Sequence, residues 1–469
     1  MAYNLHDLKV VGLDLWGILD CKVESRTGEH SSLTLYAYPG DREEVLYETQ
    51  DCQPIEVWLD GDTGKELLFA GVVTSVTLQI ATEMKILRIE GKSYSWLLDR
   101  VRKNRSFQDV RMSHSKLMEQ ILQDYPDGDF TCTVGDQPIG KLFVQYGETD
   151  WEFLQRVMSA AGITVTPCSY QVGVWLYAGI PDMSVSEIPY RLLRVKKDMG
   201  GYYFLKANDR EVEPADFTRY QIQSERLLRI FERVKIKGQP FVVCSCRYSF
   251  DSQEMMCQYE LQMAGGLARE TVYPMQLIGV ALNGKITQVS KDKVQVALKV
   301  DAPYGNTAAY EFPYSTISAS PDGSGWYCMP EIGDEVRVYF PSKHEEEAIA
   351  LSSVSNYSAP QDGQRDRMQD PNSRYLRTKA GQELALAPDY MKLSCADGIS
   401  SAAILNDGTV QIYAGKELSV TARNSLTVHA EDELTVHSRG NIVIQSMKGG
   451  RIKVNQQNIE LQGAEVKFE

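Results

Sequence analysis

Cysteine is the residue type in this chain with the clearest potential for chemistry. The chain has nine cysteines, and Cys244 and Cys246 form a Cys-x-Cys pair that an alternating strand places on one face. A structural zinc site needs a second pair or nearby histidines, and the sequence around this pair offers neither. We therefore predict no metal and no cofactor, and we interpret the cysteines as buried thiols of a reducing compartment.

Two histidines, His429 and His437, lie eight residues apart at equivalent positions of a sequence repeat. If three copies of the repeat surround one axis, these side chains form two outer rings of three imidazoles. Capture of a metal by such rings is the alternative to a purely structural repeat.

Clustered carboxylates are the remaining candidates for catalysis. Glycoside hydrolases take an acid and a base from paired carboxylates, and Glu345, Glu346 and Glu347 are adjacent here. Such a run is more typical of a solvated surface, which is the role we predict. Since the sequence also has no phosphate-binding glycine loop, nucleophile elbow or metalloprotease helix motif, we predict a protein that is not an enzyme.

The strongest pattern is an eight-residue repeat whose copies begin at Lys416, Asn424, Asp432 and Gly440. Within each copy, apolar or small residues occupy every second position, which is the period of a half-buried strand. The pattern extends in both directions and predicts short strands over about sixty residues. The predicted inward-facing core residues are Val410, Ile412, Leu418, Val420, Leu426, Val428, Leu434, Val436, Ile442, Ile444, Ile452 and Val454.

One ribbon of such strands cannot bury its own apolar face. A single-chain solenoid would have fewer than about three coils, which is short for a stable stack. No proline follows Pro388, and the residues from Gly408 onward carry seven basic and seven acidic side chains. The pattern therefore favours three identical chains wrapped around one axis. A sugar-binding solenoid is a further alternative, but the outward positions lack the aromatic side chains that stack on sugars.

Composition limits the partners and the compartment. The 469 residues carry a net charge of -14, so nucleic acid is not a predicted partner. The N-terminus shows no signal-peptide pattern, and no run approaches the roughly eighteen apolar residues of a membrane span. We predict a protein that is made in, and stays in, the cytoplasm until another process moves it.

The rest of the chain predicts a mainly β protein of several domains. We expect a β-barrel at 1–110, a helical insertion at 111–165 and a second barrel at 166–270. Ser113 and the Thr149–Glu152 capping box predict the starts of two helices, and the apolar stripe of the second is expected to pack on the barrel. A five-stranded OB-fold at 277–356, a polar linker at 357–375 and the repeat region at 376–469 follow.

This order of parts resembles the central spike family of contractile injection machines: VgrG of type VI secretion and the hub and needle proteins of contractile-tailed phages and tailocins. The most specific segments are 145–162, which is similar to the hub helix motif and contains Trp151, Phe153 and Leu154, and 330–340, which is similar to the OB-fold signature of spikes. Residues 376–386 resemble the start of the needle.

The resemblance implies a structural homotrimer in which two barrels per chain face the inner tube, the OB-fold forms a collar, and the repeats form a β-helix (β-prism) needle. Sheath contraction would drive this needle through a target cell envelope, with baseplate proteins as further partners. Some relatives carry a muramidase or an effector domain, and a cell-wall or polysaccharide-degrading spike is therefore the alternative function. We expect no such domain here, because the linker at 357–375 is short and the repeats occupy the rest of the sequence.

The end of the chain differs from phage needles that bind iron through a His-x-His motif. Val466 and Phe468 are expected at the tip, where a small PAAR-like protein could cap them. The sequence does not distinguish a phage tail from a tailocin, a type VI system or an extracellular particle.

Overall fold

The structure is a computed structural model that describes residues 3–466 except 40–49, 62–63, 82–83, 126, 252–253, 306–307, 319, 321–324, 352–365 and 367. Most of the expected linker at 357–375, and Phe468 of the expected tip, lie outside these residues. The chain divides into two compact units, Met1–Asn356 and Tyr357–Glu469. None of the helices in the described ranges is long and apolar enough to cross a membrane.

The first unit begins with six strands. Their alternating residues turn to the interior, as in β3, where Leu33, Leu35 and Ala37 are buried. The strands are β1 Leu8–Val11, β2 Leu15–Arg26, β3 Ser32–Pro39, β4 Pro54–Gly61, β5 Gly64–Ala81 and β6 Met84–Ser93. They pair in the order β1-β4-β5-β6-β3-β2.

A helical region follows, close to where the sequence predicts one. Its elements are β7 Arg102–Phe107, α1 His114–Leu122, β8 Asp129–Cys132, β9 Phe143–Thr149, α2 Asp150–Ala160, β10 Val165–Pro167 and β11 Trp175–Ala178. Ser113 caps α1 by accepting a hydrogen bond from the backbone N–H of Lys116, as predicted. Strands β7 and β9 pair with each other, and β10, β11 and β8 form a small sheet.

Both ends of α2 follow from the local sequence. The predicted capping box is present: Thr149 Oγ1 accepts from Glu152 N–H at 3.1 Å, and the Glu152 carboxylate accepts from Thr149 N–H at 3.0 Å. At the other end Gly162 has a φ of +75°, and the N–H of Ile163 reaches back to Met158 O at 3.1 Å. This is the Schellman arrangement that ends a helix.

Replacement of Thr149 with alanine should lower the free energy of unfolding by about 1–2 kcal/mol. The hydroxyl both caps α2 and donates to Asp99 Oδ1 at 2.6 Å, so alanine loses two hydrogen bonds. Urea unfolding measures the change. Thr149→Ser keeps both bonds and serves as the control; equal stability of the alanine and serine variants would contradict the prediction.

The second set of strands continues the first sheet. Its elements are β12 Val185–Ser186, β13 Arg191–Lys197, α3 Met199–Ala207, β14 Thr218–Ser224, β15 Arg233–Ile236, β16 Gln239–Asp251 and β17 Glu254–Gln262. Strand β16 pairs with β2, from Ser245 opposite Arg26 to Tyr248 opposite Val23. One twelve-stranded sheet, with one core, therefore contains the strands expected in both barrels.

Helix α3 is a difference from the sequence prediction, which expected only strands between 163 and 265. Two glycines near its start, Gly200 and Gly201, weaken the helical signal. The helix forms because Asp198 caps it, accepting from Gly201 N–H at 3.2 Å, and because Leu205 packs with Phe217 and Val212.

The third part of the first unit is a five-stranded antiparallel sheet. Its strands are β18 Ala281–Ser290, β19 Lys293–Leu298, β20 Glu311–Pro313, β21 Glu335–Tyr339 and β22 Ile349–Leu351, in the order β20-β19-β18-β21-β22. The turn predicted at Ser290 is present: Ser290 faces Lys293, and Lys291 has a positive φ of 53°. The sheet surrounds its own apolar core, in agreement with the small barrel that the sequence predicts.

The second unit consists of two antiparallel sheets. The first contains β23 Arg374–Arg377, β24 Glu383–Ala387, β25 Tyr390–Cys395, β26 Ser400–Leu405 and β27 Val410–Tyr413; the second contains β28 Ile442–Gln445, β29 Arg451–Val454 and β30 Ile459–Gln462. The sequence predicts strands in the repeats from Lys416 to Arg439, but this structure of a single chain has none there. An isolated ribbon has no neighbouring strand with which to form a ladder.

Candidate functional site

One face of the five-stranded sheet in the second unit is almost entirely apolar. In antiparallel pairs, directly opposed residues point to the same side. The register opposes Leu384 to Leu393, and Ala402 to Ile412, and the other pairs extend this face across all five strands. Its apolar members are Leu376, Leu384, Leu386, Met391, Leu393, Ala402, Ile404, Val410 and Ile412.

This face is exposed in the single chain. Leu386 and Met391 are each 45% exposed, Leu393 58% and Val410 65%. Contiguous apolar surfaces of this kind mark sites that another molecule covers. Val410 and Ile412, which the sequence predicts to be core residues, belong to this face.

The three-stranded sheet repeats the arrangement. Ile442 faces Val454, and Ile444 faces Ile452, so these four predicted core residues share one side of the sheet. Ile444 is 64% exposed and Ile452 is 40% exposed. In the sequence between these two sheets, six further predicted core residues are also exposed: Leu418, Val420, Leu426, Val428, Leu434 and Val436. Val466, which the sequence predicts to lie at the tip, is 45% exposed.

The two histidines of the repeats can form rings of three imidazoles only when three copies of the chain associate. His429 and His437 are exposed in the single chain. Within the described residues, no group of three or more His, Cys, Asp or Glu side chains is placed to hold a metal ion.

The prediction that the three adjacent glutamates form a solvated surface is wrong for Glu345. Its side chain is only 1% exposed, whereas Glu346 and Glu347 are exposed. The Glu345 carboxylate accepts from the Val144 N–H at 2.6 Å and from Arg156 Nη1 at 3.0 and 3.2 Å. It thereby connects a 3-10 turn of the five-stranded β18–β22 sheet, Glu345–Glu347, to β9 and α2 of the helical region.

Arg156 is the centre of this junction. Its guanidinium is 1% exposed and lies over the rings of Phe143 and Phe153, at 5.9 and 5.2 Å from their centroids. Besides Glu345, it donates to both carboxylate oxygens of Glu148, at 2.7 and 2.8 Å, and to Val144 O at 2.8 Å. All three guanidinium nitrogens therefore have hydrogen-bond acceptors within this buried site.

The electrostatics match this geometry. Burial opposes the charge of Arg156, but the Glu345 and Glu148 carboxylates outweigh it and raise the Arg156 pKa. Burial raises the pKa of Glu345, although Arg156 and the Val144 N–H oppose the shift. The contact of Arg156 Nη1 with both Glu345 oxygens, within 3.2 Å, is that of an ionised pair.

Asp301 makes a second polar contact between the same two regions. This residue, 4% exposed, lies in the 3-10 segment Lys299–Tyr304 and accepts from the N–H of Ser106 at 2.5 Å and from its hydroxyl at 2.6 Å. Burial raises the pKa of Asp301, although the Ser106 donors act in the opposite direction. Nearby, Gln108 donates to Val296 O at 3.1 Å. Leu142 and Val144 of the helical region also belong to the apolar core of the five-stranded β18–β22 sheet.

The three residues of the hub helix motif, Trp151, Phe153 and Leu154, are all buried. They pack in a core formed by α1, α2 and β9, with partners such as Leu117 and Phe143. Most of the apolar stripe of α2 therefore packs in this core, and only Trp151 packs on the barrel as the sequence predicts. The helical region has enough apolar surface of its own to form a separate core.

Trp151 also contacts the sheet through His30, whose ring centroid lies 4.2 Å from the Trp151 ring. His30 Nδ1 is 2.7 Å from Ser95 Oγ, and its other nitrogen is 3.6 Å from Asp99. Burial lowers the pKa of His30 to about 4, although Asp99 acts in the opposite direction and Lys92 adds to the lowering.

This histidine should make the protein less stable in acid. The unfolded side chain titrates near 6.5, so the contribution of neutral His30 is complete above that pH and is lost as the pH falls towards about 4. Between pH 7 and 4.5 we expect the wild type to lose about 2–3 kcal/mol more than His30→Gln. Urea unfolding at both pH values measures this; equal losses in the two proteins would contradict it.

Sequence reasoning did not identify Arg156 and Asp301, and it gave Glu345 a solvated role. No local signal could have found them, because Arg156 and Glu345 are 189 residues apart in the chain. An arginine between Phe153 and Val157 on an apolar helix is the nearest hint of a buried cation.

Comparisons with known proteins agree with this architecture. Residues 27–167 match the family model described as phage tail baseplate hub (GPD). No protein with a curated sequence matches the chain.

Among solved structures, the chain is similar to the E. coli c3393 protein, described as a component of the type VI secretion system with structural similarity to the T4 tail proteins gp27 and gp5. The two are 14% identical with a TM-score of 0.55, and the match covers 75% of this chain and 100% of that one. Two forms of the Francisella PdpA-VgrG complex also match, both at 10% identity. The lidded form has a TM-score of 0.51 and covers 84% of this chain and 76% of that one; the half-lidded form has 0.50, with 85% and 84%.

These structural likenesses show the hub and spike fold, and the family model places the hub region within it. Residues 27–167 thus match the baseplate hub family, and the fold of the chain is that of VgrG-like and phage-tail hub and spike proteins.

Proposed function

We propose that this chain is the structural central spike of a contractile injection machine, in which three copies share one axis. In this proposal the first unit joins the spike to the inner tube and baseplate, and the second forms a needle that sheath contraction drives through a target envelope. The observation that carries the proposal is the apolar face of β23–β27, which the strand register defines and which a single chain leaves exposed.

Three copies supply what a single chain lacks. Covering a leucine, isoleucine or valine side chain contributes about 1.5–3 kcal/mol when burial is complete, and each half-exposed residue of this face gains part of that. The repeats between Tyr413 and Ile442, which form no strand alone, would pair with the equivalent segments of the other copies. Ladders with a dry interdigitated interior are stiff, as a piercing element requires.

The role is mechanical rather than catalytic. Glu345, one of the carboxylates that could have served an enzyme, is used to bind Arg156 inside the protein. We further propose that a PAAR-like protein covers the end near Val466, which is 45% exposed, and that assembly starts in the bacterial cytoplasm.

Light scattering coupled to size-exclusion chromatography tests the proposal. We expect a particle of three times the chain mass that persists in mild detergent, and a narrow rod in negative-stain electron micrographs. A particle of one chain mass at micromolar concentration would contradict it. Clearing of a peptidoglycan overlay by the purified protein would favour the cell-wall-degrading alternative.

A further inference from the structure

The two histidines of the repeats occupy the same position in consecutive repeats. His429 is the sixth residue of one eight-residue repeat, and His437 is the sixth residue of the next. Each follows a residue of the predicted interior, Val428 or Val436, so the two-residue period of a strand places it on the outside. Both side chains are exposed in the single chain. The proposed function leaves these two imidazoles without a role.

Threefold symmetry determines which side chains become neighbours in the needle. The inference therefore rests on the proposed function, in which three chains share one axis. Eight residues suit one short strand and a corner, so that each repeat forms one side of a three-sided prism. A chain then moves to the next side with every repeat. On each side, a repeat of one chain consequently lies beside the following repeat of the neighbouring chain.

This arrangement places His429 of one chain beside His437 of the neighbouring chain. All three chains wind in the same direction, so their strands run parallel, and the sixth positions of adjacent repeats are in register about 4.8 Å apart. Two imidazoles at that spacing can each direct one nitrogen to the same ion. Within one chain, His429 and His437 lie on different sides of the prism and cannot do so.

We propose that each such pair binds one transition-metal ion of the zinc class, so that three ions clip the three chains together. Neutral imidazole is a favoured ligand of Zn²⁺, Cu²⁺ and Ni²⁺. The site is incomplete in one chain, where no group of three or more ligating side chains occurs among the described residues. An ion that binds only the associated chains stabilises the trimer by mass action.

The neighbouring outward residues limit the site to two imidazoles. The sixth positions of the flanking repeats are Thr421 and Gln445, so each stack contains one histidine pair. Glu431, two residues after His429, aligns with Arg423 and Arg439 of the adjacent repeats, and these cations neutralise its carboxylate. Water completes the coordination of the ion.

Pairs differ from rings in the number of ions bound. The three His429 side chains at one level lie on different sides of the prism and point away from the axis, so they diverge. Pairing between neighbouring chains gives three ions per trimer, one for each side. Rings of three imidazoles, one for each histidine position, would give two ions per trimer.

Calorimetric titration of the metal-free full chain with Zn²⁺ tests the proposal, with light scattering on the same sample. The reference is the double variant His429→Gln with His437→Gln, which corrects for zinc bound elsewhere, such as at the exposed thiols of Cys328 and Cys395. We expect the wild type to bind three more ions per trimer than this reference. A difference of two or none in a trimeric protein would overturn the inference and leave the proposed function standing. A single-chain mass would overturn both.

Mixed trimers test whether the site lies between chains. His429→Gln alone or His437→Gln alone should weaken zinc binding by about a hundredfold, because the remaining imidazole loses a partner held at high effective concentration. Both variants should stay trimeric. Co-expression of the two single variants should restore one tight site in each mixed trimer, where His429 of one chain meets His437 of another. No recovery on mixing would overturn the inference.

A shifted histidine is the matched control for the position of the pair. Thr435→His with His437→Thr keeps the number of outward imidazoles but moves one of them two residues along the strand, away from His429. Tight zinc binding should be lost while the trimer persists. His6→Gln, which removes an exposed histidine of the first unit, should leave zinc binding unchanged. Tight binding by the shifted variant, or its loss in His6→Gln, would overturn the inference.

Discussion

Replacement of Arg156 with methionine is expected to lower the free energy of unfolding by about 3–5 kcal/mol. The change leaves two carboxylates without their cation: Glu345, which is 1% exposed, keeps only the Val144 N–H as a donor, and Glu148 loses both of its bonds to the guanidinium. Methionine fills most of the space that the arginine stem occupies between Phe143 and Phe153, so the loss reports the unpaired charge more than a cavity. Urea unfolding at pH 7 measures it.

Two further variants test whether the loss of stability comes from the unpaired buried charge. The double variant Arg156→Met with Glu345→Leu should recover part of the loss, because it removes the more deeply buried of the two carboxylates that lose their cation and leaves Glu148 unpaired. Arg102→Met breaks a pair with Glu152, at 3.2 Å, in which both side chains are exposed, and should cost no more than about 1 kcal/mol. If Arg156→Met were as stable as Arg102→Met, the junction would not depend on the buried pair.

Replacement of Val428 with aspartate is expected to abolish the trimer at micromolar concentration. Val428 is 65% exposed in the single chain, so the change should not unfold the chain itself. In the proposed needle, three carboxylates would meet near the axis in an apolar interior with no cation to pair with, which costs several kcal/mol. Light scattering measures the loss of mass.

Thr427→Asp is the matched control for this variant. It adds the same charge at the next position, which the two-residue period places on the outside. The control should remain trimeric. If Val428→Asp were also trimeric, with unchanged melting, the apolar side of the repeats would not form the interior.

Local signals in the sequence predicted local structure well. The caps at Ser113 and Thr149 were predicted because their partners lie three residues away. Strand alternation likewise identified one side of the C-terminal sheets, including Val410 and Ile412. These features depend on spacing that can be read along the chain.

What the sequence did not reveal depends on contacts between distant segments. Glu345 was expected to be solvated because its adjacent acids suggest a surface, and nothing near it indicates Arg156, 189 residues away. The pairing of β2 with β16 was missed for the same reason. In the repeats, the missing contacts are not within one chain at all. The period of the repeats predicts strands, but we propose that the strands with which they pair belong to other copies of the chain.

The joining of β2 to β16 also has a consequence for biosynthesis. Glu24 and Arg247, which meet across these strands, are 223 residues apart. At typical ribosomal rates of roughly 5–20 residues per second, the nascent chain waits about 10–45 seconds before β16 emerges. During that interval the Val23–Arg26 edge of β2 lacks its neighbour, so the sheet can be completed only after the long segment between the two strands has been translated.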